Sequence, residues 1–151
     1  MKTAREIMTK DVFTVTESTP LDELARAFAN RGVSGFPVVD AERRLVGVVT
    51  ETDLIHQNQR LHIPTAVAIF DAVIVLGSSK RLEEEVRRMT ATTVGEIMAA
   101  EPVTIGPDLS VQDVAALMAE QGVHTLPVVD SSGALVGVVG KLDVIRALAT
   151  P

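Results

Sequence analysis

Sliding the sequence along itself by ninety positions lays residues 3–55 on residues 93–145 without a gap. Thr3 meets Thr93, Glu6-Ile7-Met8 meets Glu96-Ile97-Met98, and Gly32-Val33 meets Gly122-Val123. Pro37-Val38-Val39-Asp40 meets Pro127-Val128-Val129-Asp130, and Leu45-Val46-Gly47-Val48-Val49 meets Leu135-Val136-Gly137-Val138-Val139. A solenoid stacks three or more units, so two copies predict a closed pair related by an approximate two-fold axis.

Each copy spells the same order of elements. Thr3 to Glu6 and Thr93 to Glu96 have capping-box spacing, where each side chain satisfies a backbone N–H left over at a helix start. A half-buried strand is expected around Phe13 and Val15 from alternation. Thr19-Pro20 opens a helix whose apolar stripe is Leu21, Leu24, Ala25 and Phe28, matched by Val111, Val114, Ala115 and Met118. Gly32 and Gly122 stand where a helix ends on a left-handed residue.

Two continuous apolar runs, Phe36–Val39 and Leu45–Val49, then predict a hairpin buried on both faces. Its turn in the second copy has Gly133 available for positive φ, whereas the first copy has Arg43 there, so a strained turn is expected, at about 1 kcal/mol. A last helix follows, with Asp53 or Asp143 in its first turn. Thr50 and Asp53 are again a capping-box pair, and helix capping alone explains them. In the second copy Gly140 replaces the threonine while the acid remains.

Strand, helix, strand, strand, helix is thus written twice, an α+β architecture. Residues 59–92 form a connecting insert, in which Leu82, Val86 and Met89 mark a helix face. Glu83 with Arg87 and Glu84 with Arg88 would pair on its outside. Periodicity leaves Ile63–Leu76 open between helix and strand, packed on the pair or on a partner chain.

Composition narrows the function. Fourteen basic against twenty acidic residues give a net charge of −6, which repels nucleic-acid phosphates over most of the surface. Four Phe with no Trp or Tyr leave few stacking platforms for single strands. Without Cys there is no disulfide framework, thiol nucleophile or thiolate metal site. His56 and His62 lie six apart, the wrong spacing for a metal pair on one helix face. Nothing resembles a nucleophile elbow or a phosphate-cradling glycine loop with lysine, so no enzyme is expected. The start lacks a secretory apolar core. The most apolar window, Ala66–Leu76, is about half a membrane span and carries Asp71. A soluble, cytoplasmic protein is the expectation. The chain reads as the pair and its insert alone, so output through another protein or through self-assembly is expected.

The Pro-Val-Val-Asp hairpin followed by Gly-Val-Val-Thr-x-x-Asp resembles the cystathionine-beta-synthase (CBS) domain, and the duplication resembles the tandem pair called a Bateman module. The resemblance covers residues 3–58 and 93–149 and implies a first CBS domain over 1–58 and a second over 93–151. It also implies packing through the sheets with two clefts for adenosine compounds such as AMP, ADP, ATP or S-adenosylmethionine. A homodimer and a separate effector protein are implied as partners, with no nucleic acid and no membrane.

Gly47, Val48, Val49, Thr50 and Asp53 match the family's ligand motif throughout. By resemblance, Asp53 accepts hydrogen bonds from both ribose hydroxyls and Thr50 reaches a phosphate or ribose oxygen. A carboxylate and a diol suit each other in acceptors and donors. The family often meets the phosphate with a His or Arg just before the Pro-Val of the opposite copy. His124 fits that place and faces the Asp53 cleft, while Ser34 and Gly35 face the Asp143 cleft without charge. In that second cleft Gly140 lacks the hydroxyl, and Lys141 offers charge instead. The resemblance therefore ranks the Asp53, Thr50 and His124 cleft first. Adenine is expected in an apolar slot lined by Val15, Val33, Phe36 and Pro37, or by Ile105, Val123, Leu126 and Pro127. Met8 and Met98 are read as core filler. The competing reading is a structural module with empty clefts, dimerising through faces that include Leu54, Ile55, Ile145 and Leu148.

Overall fold

The computed structural model describes residues 2–61 and 92–150, the side chains of 57–61 excepted. The readings made above for Ile63–Leu76, for the Leu82–Met89 helix with its charge pairs, and for His62 lie outside the described residues.

Both capping boxes form where the spacing predicts. The Thr3 N–H donates to Glu6 Oε1 at 3.3 Å and the Thr93 N–H to Glu96 Oε2 at 3.3 Å. They open two single-turn helices, α1 (Ala4–Ile7) and α4 (Val94–Ile97). The amphipathic stripes become α2 (Leu21–Arg31) and α5 (Val111–Gln121), and both end on a left-handed glycine, Gly32 at φ 63° and Gly122 at φ 65°. Pro20 is the residue before α2 and supplies no side-chain cap, whereas Ser110 Oγ accepts the Asp113 N–H at 3.2 Å in α5.

The hairpins are β1 (Gly35–Val39) with β2 (Leu45–Thr50), and β3 (Thr125–Val129) with β4 (Leu135–Gly140). Both are antiparallel, in the same register, with an irregularity at Val38/Val39 and at Val128/Val129. The strand expected at Phe13–Val15 shrinks to one parallel bridge, Val15 to Val38, matched by Ile105 to Val128. The chain touches the hairpin edge there and turns away at Thr16. Burial on both faces holds for β1, for most of β3 and for Gly47–Val49 of β2, whose Leu45 and Val46 are only half-buried; β4 alternates instead, with Val138 bordering an open cavity. Arg43 takes φ 61° where Gly133 takes φ 85°, the strain its place in the turn predicts. Each copy closes with a helix, α3 (Glu51–Leu61) or α6 (Lys141–Ala149).

Two aliphatic cores result, each crossed by the ninety-residue relationship in an unexpected way. Val15, Leu21, Leu24, Phe36, Val38 and Val49 pack with Val94, Ile97 and Met98, while Ile105, Val111, Val114, Leu126, Val128 and Val139 pack with Ala4, Ile7 and Met8. The short first helix of each repeat therefore completes the core of the other. Main-chain bonds fix the exchange: Ala4 N to Leu109 O at 2.8 Å and Arg5 N to Pro107 O at 2.8 Å are mirrored by Val94 N to Thr19 O at 2.9 Å and Gly95 N to Glu17 O at 2.9 Å. The following residues pair too, Thr9 with Val138 and Ala99 with Val48. Ala4 and Val94 are fully buried. Burying an aliphatic side chain such as Val94 stabilises by about 1.5–3 kcal/mol, so neither half has its full core alone.

The hairpins meet at Gly35 and Thr125, which are ninety apart and so equivalent. A Cβ on Gly35 would lie 2.9 Å from Thr125 Oγ1, and Ser34 Oγ bonds that hydroxyl at 3.0 Å. One member of the self-paired position must be glycine for the halves to approach this closely.

Candidate functional site

A cavity of about 700 Å3 opens between the halves, within the size range of small-molecule sites. One wall comes from the first repeat: Thr9, Asp11, Val12 and Phe13, then Arg31 at the end of α2, and Val33 to Pro37 leading into β1. The other wall comes from the second repeat: Thr125, Val138, and Gly140 to Asp143 with Arg146 on α6. The cleft thus joins the hairpin of one repeat to the last helix of the other.

Of the residues singled out by sequence, Val33, Phe36, Pro37, Gly140, Lys141 and Asp143 come together here, with Ser34 and Gly35 beside them. The Gly140 N–H donates to Asp143 Oδ2 at 2.8 Å, so half of a capping box survives without the hydroxyl. Asp143 Oδ1 has no hydrogen-bond partner among the described residues. Phe36 is 3% exposed and reaches the cavity wall from within the first core.

Among the positions that sequence reasoning passed over, five charged or aromatic ones also line it: Asp11, Phe13, Arg31, Glu51 and Arg146. Phe13 meets Phe36 edge-on at 5.2 Å, Phe36 stacks on Phe28 at 4.6 Å, and the Arg31 guanidinium lies over the Phe13 ring at 3.9 Å. At that distance the ring's electrons attract the guanidinium charge. Comparing the repeats residue by residue was the signal available in the sequence, since Phe13 and Arg31 face Val103 and Gln121 in the ninety-residue register.

The remaining predicted residues are placed elsewhere. Val15 is buried in the first core, and Ile105, Leu126 and Pro127 are buried in the second half, with Val123 half-buried beside them. Thr50 and Asp53 bond each other as a complete capping box: Thr50 N–H to Asp53 Oδ2 at 2.9 Å, Thr50 Oγ1 to the same oxygen at 3.1 Å, and Asp53 N–H to Thr50 Oγ1 at 3.2 Å. His124 is exposed, and its carbonyl oxygen accepts the Lys141 N–H at 3.1 Å.

Two repeats closing on each other around a cleft, with a carboxylate and cations at the junction, define a duplicated α+β module built around an interdomain site. The CBS domain family profile matches residues 4–59 and 94–150. The chain belongs to the CBS domain family and is a tandem pair of such domains. Among curated proteins it is similar to the chloroplastic CBS domain-containing protein CBSX1 of Arabidopsis thaliana, 31% identical over 96% of this chain and 63% of that protein. The protein MJ1426 of Methanocaldococcus jannaschii is 29% identical over 95% of this chain and 89% of its own length. The crystal structure of Arabidopsis CBSX2 in complex with AMP superimposes with a TM-score of 0.74 at 26% identity, covering 99% of this chain and 97% of that one. The CBS domain of a membrane protein from Sphaerobacter thermophilus gives 0.75 at 31% identity, over 95% and 86%. In this chain no helix of the described residues is long and apolar enough to cross a membrane.

Proposed function

We propose that this chain is a regulatory module that binds an adenine nucleotide in the cleft containing Asp143, and that occupancy is read by an effector protein or by rearrangement of a dimer. The observation that carries the reading is the cavity itself. A carboxylate with one oxygen unbonded among the described residues, two phenyl rings and three cationic side chains converge on a space of about 700 Å3. A ribose diol offers two donors to a carboxylate, an aromatic base fits beside phenyl rings, and a phosphate suits Lys141 and Arg146. AMP in the crystal structure of CBSX2, similar over nearly the whole chain, supports the ligand class. A ligand spanning both halves binds the two arrangements of the pair unequally, and that inequality is the whole of its power to switch them.

The test is mass spectrometry of small molecules released from freshly purified protein, followed by calorimetric titration of the nucleotide-free chain with AMP, ADP, ATP and S-adenosylmethionine. Saturable heat that disappears in Asp143→Asn, which keeps an oxygen for the helix cap, is expected. Silence across the panel sinks the reading. The role is non-catalytic, so phosphate release from ATP above background would also overturn it.

A second reading rests on a different observation. Ile55, Leu142, Ile145 and Leu148 are large, apolar and more than half exposed on α3 and α6, a face suited to a second copy of this chain; Leu54 packs inward on the first core.

A further inference from the structure

The repeat provides an internal control for the cavity. Phe13, Phe36, Arg31, Lys141 and Arg146 line it; ninety residues away stand Val103, Leu126, Gln121, Glu51 and His56. Every one of these differences removes a ring or a permanent positive charge from the Asp53 side. The Asp143 cavity balances Arg31, Lys141 and Arg146 against Asp11, Glu51 and Asp143, three charges against three. Among the described residues, the equivalent positions around Asp53 hold Lys141 against Glu51, Asp53 and Glu101, one permanent positive charge against three, with His56 and His124 beside them. Two charges therefore separate the clefts.

Among the described residues the cations of the cavity take part in no ion pair, although Arg31 lies over the Phe13 ring. Among the described residues, the ion pairs within 4.0 Å are Arg5–Asp108 and Arg26–Asp22. Asp11 and Glu51 share the cavity wall without neutralising Arg31, Lys141 or Arg146 at contact distance. Set against three acids, these cations leave the cavity near neutral overall, so it favours a phosphate over the Asp53 side by the absence of net repulsion and by the two cations, Lys141 and Arg146, that can meet it directly.

Building on the nucleotide reading, we propose that the two clefts are not equivalent. The Asp143 cavity is a phosphate-selective site, with Lys141 and Arg146 receiving the phosphate and Phe13, carrying Arg31, walling the base. The Asp53 cleft takes no phosphorylated ligand, its Thr50–Asp53 pair serving as a helix cap. The chain consequently binds one nucleotide, and discriminates AMP from adenosine by charge.

Calorimetry of the nucleotide-free chain with AMP and adenosine as probes tests this. One AMP per chain is expected, with adenosine at least tenfold weaker, about 1.4 kcal/mol. Lys141→Ala with Arg146→Ala should bring AMP down to the affinity of adenosine and leave adenosine within about twofold. Phe13→Ala should weaken both probes together by about tenfold, in line with base stacking on an aromatic ring. Two equal AMP sites or equal affinities for AMP and adenosine would each overturn the inequality while sparing the nucleotide reading; AMP binding that survives Asp143→Asn but not Asp53→Asn would move the ligand to the other cleft and overturn both. Absence of heat from both probes overturns the inequality, and silence from ADP, ATP and S-adenosylmethionine as well overturns the nucleotide reading.

Discussion

Met98 Sδ lies 2.6 Å from the point where a Cβ on Gly47 would stand, with the Ala99 carbonyl oxygen 2.7 Å from the same point. Met8 and Thr9 crowd Gly137 in the same way. The glycine that opens the Gly-Val-Val-Thr-x-x-Asp pattern is therefore a packing residue. It lets the segment following the exchanged helix of one repeat lie against the hairpin of the other, and so holds the two halves at the spacing that forms the cleft.

Gly47→Ala should destabilise the fold by about 2 kcal/mol, the usual scale of overpacking where a backbone atom must move as well as a flexible side chain. Gly106→Ala is the control, since a Cβ there meets nothing within 4 Å, and it should be neutral or slightly stabilising. Thermal melts of both variants check this. Equal melting temperatures for the two would remove the steric argument.

The hairpin turns give a matched pair of substitutions at left-handed positions. Gly133→Ala, at φ 85°, should cost about 1 kcal/mol. Arg43→Gly relieves the same strain at φ 61° but adds freedom to the unfolded chain, so a smaller gain of about 0.5 kcal/mol is expected. Urea unfolding midpoints measure both.

Asp130 closes the second turn by accepting bonds at Oδ1 from the Ser132 hydroxyl at 2.7 Å, the Ser132 N–H at 2.9 Å and the Ala134 N–H at 3.1 Å. The Ser132 hydroxyl foremost, then the Ala134 and Ser132 N–H groups, hold its carboxyl below the usual value of 3.8. The ionised form is the one the turn favours. Its contribution is therefore complete above that usual value and is lost as pH falls through the lowered pKa. Ser132→Ala should raise the Asp130 pKa towards 3.8 in an NMR titration; an unchanged midpoint would show the hydroxyl to be a bystander.

The exposed faces of α3 and α6 carry matched residues, Ile55 and Ile145, ninety apart and 57% and 56% exposed. Ile145→Glu combined with Leu148→Glu should leave a folded chain that sediments as a monomer at concentrations where the unaltered chain sediments as a dimer. A monomeric unaltered chain would remove these faces as an interface.

Much of the fold was legible because local chemistry repeats at a fixed spacing. Thr3 with Glu6, Gly32, the Val-rich hairpins and the awkward Arg43 turn all behave as their neighbours in sequence dictate, since caps, left-handed residues and strand patterns act over a few residues. The candidate site was legible only in part. Lys141, Asp143, Val33, Phe36 and Pro37 carried a recognisable pattern. Phe13, Arg31 and Arg146 did not, because an aromatic residue in a strand and an arginine on a helix look like core and solvated surface until the opposite wall is present.

The amino-acid order by itself determined the duplication, the element types and the acid at the start of each last helix, all consequences of short-range hydrogen bonding and apolar periodicity. Only the tertiary structure decided that α1 and α4 exchange cores, that Gly47 and Gly137 answer to methionines of the other repeat, and that the charged, aromatic cavity lies on the Asp143 side. Those outcomes depend on which surfaces meet between residues far apart in the chain, such as Ala4 with Leu109 and Val94 with Thr19, and no local pattern encodes a contact whose partner lies in the other half of the chain.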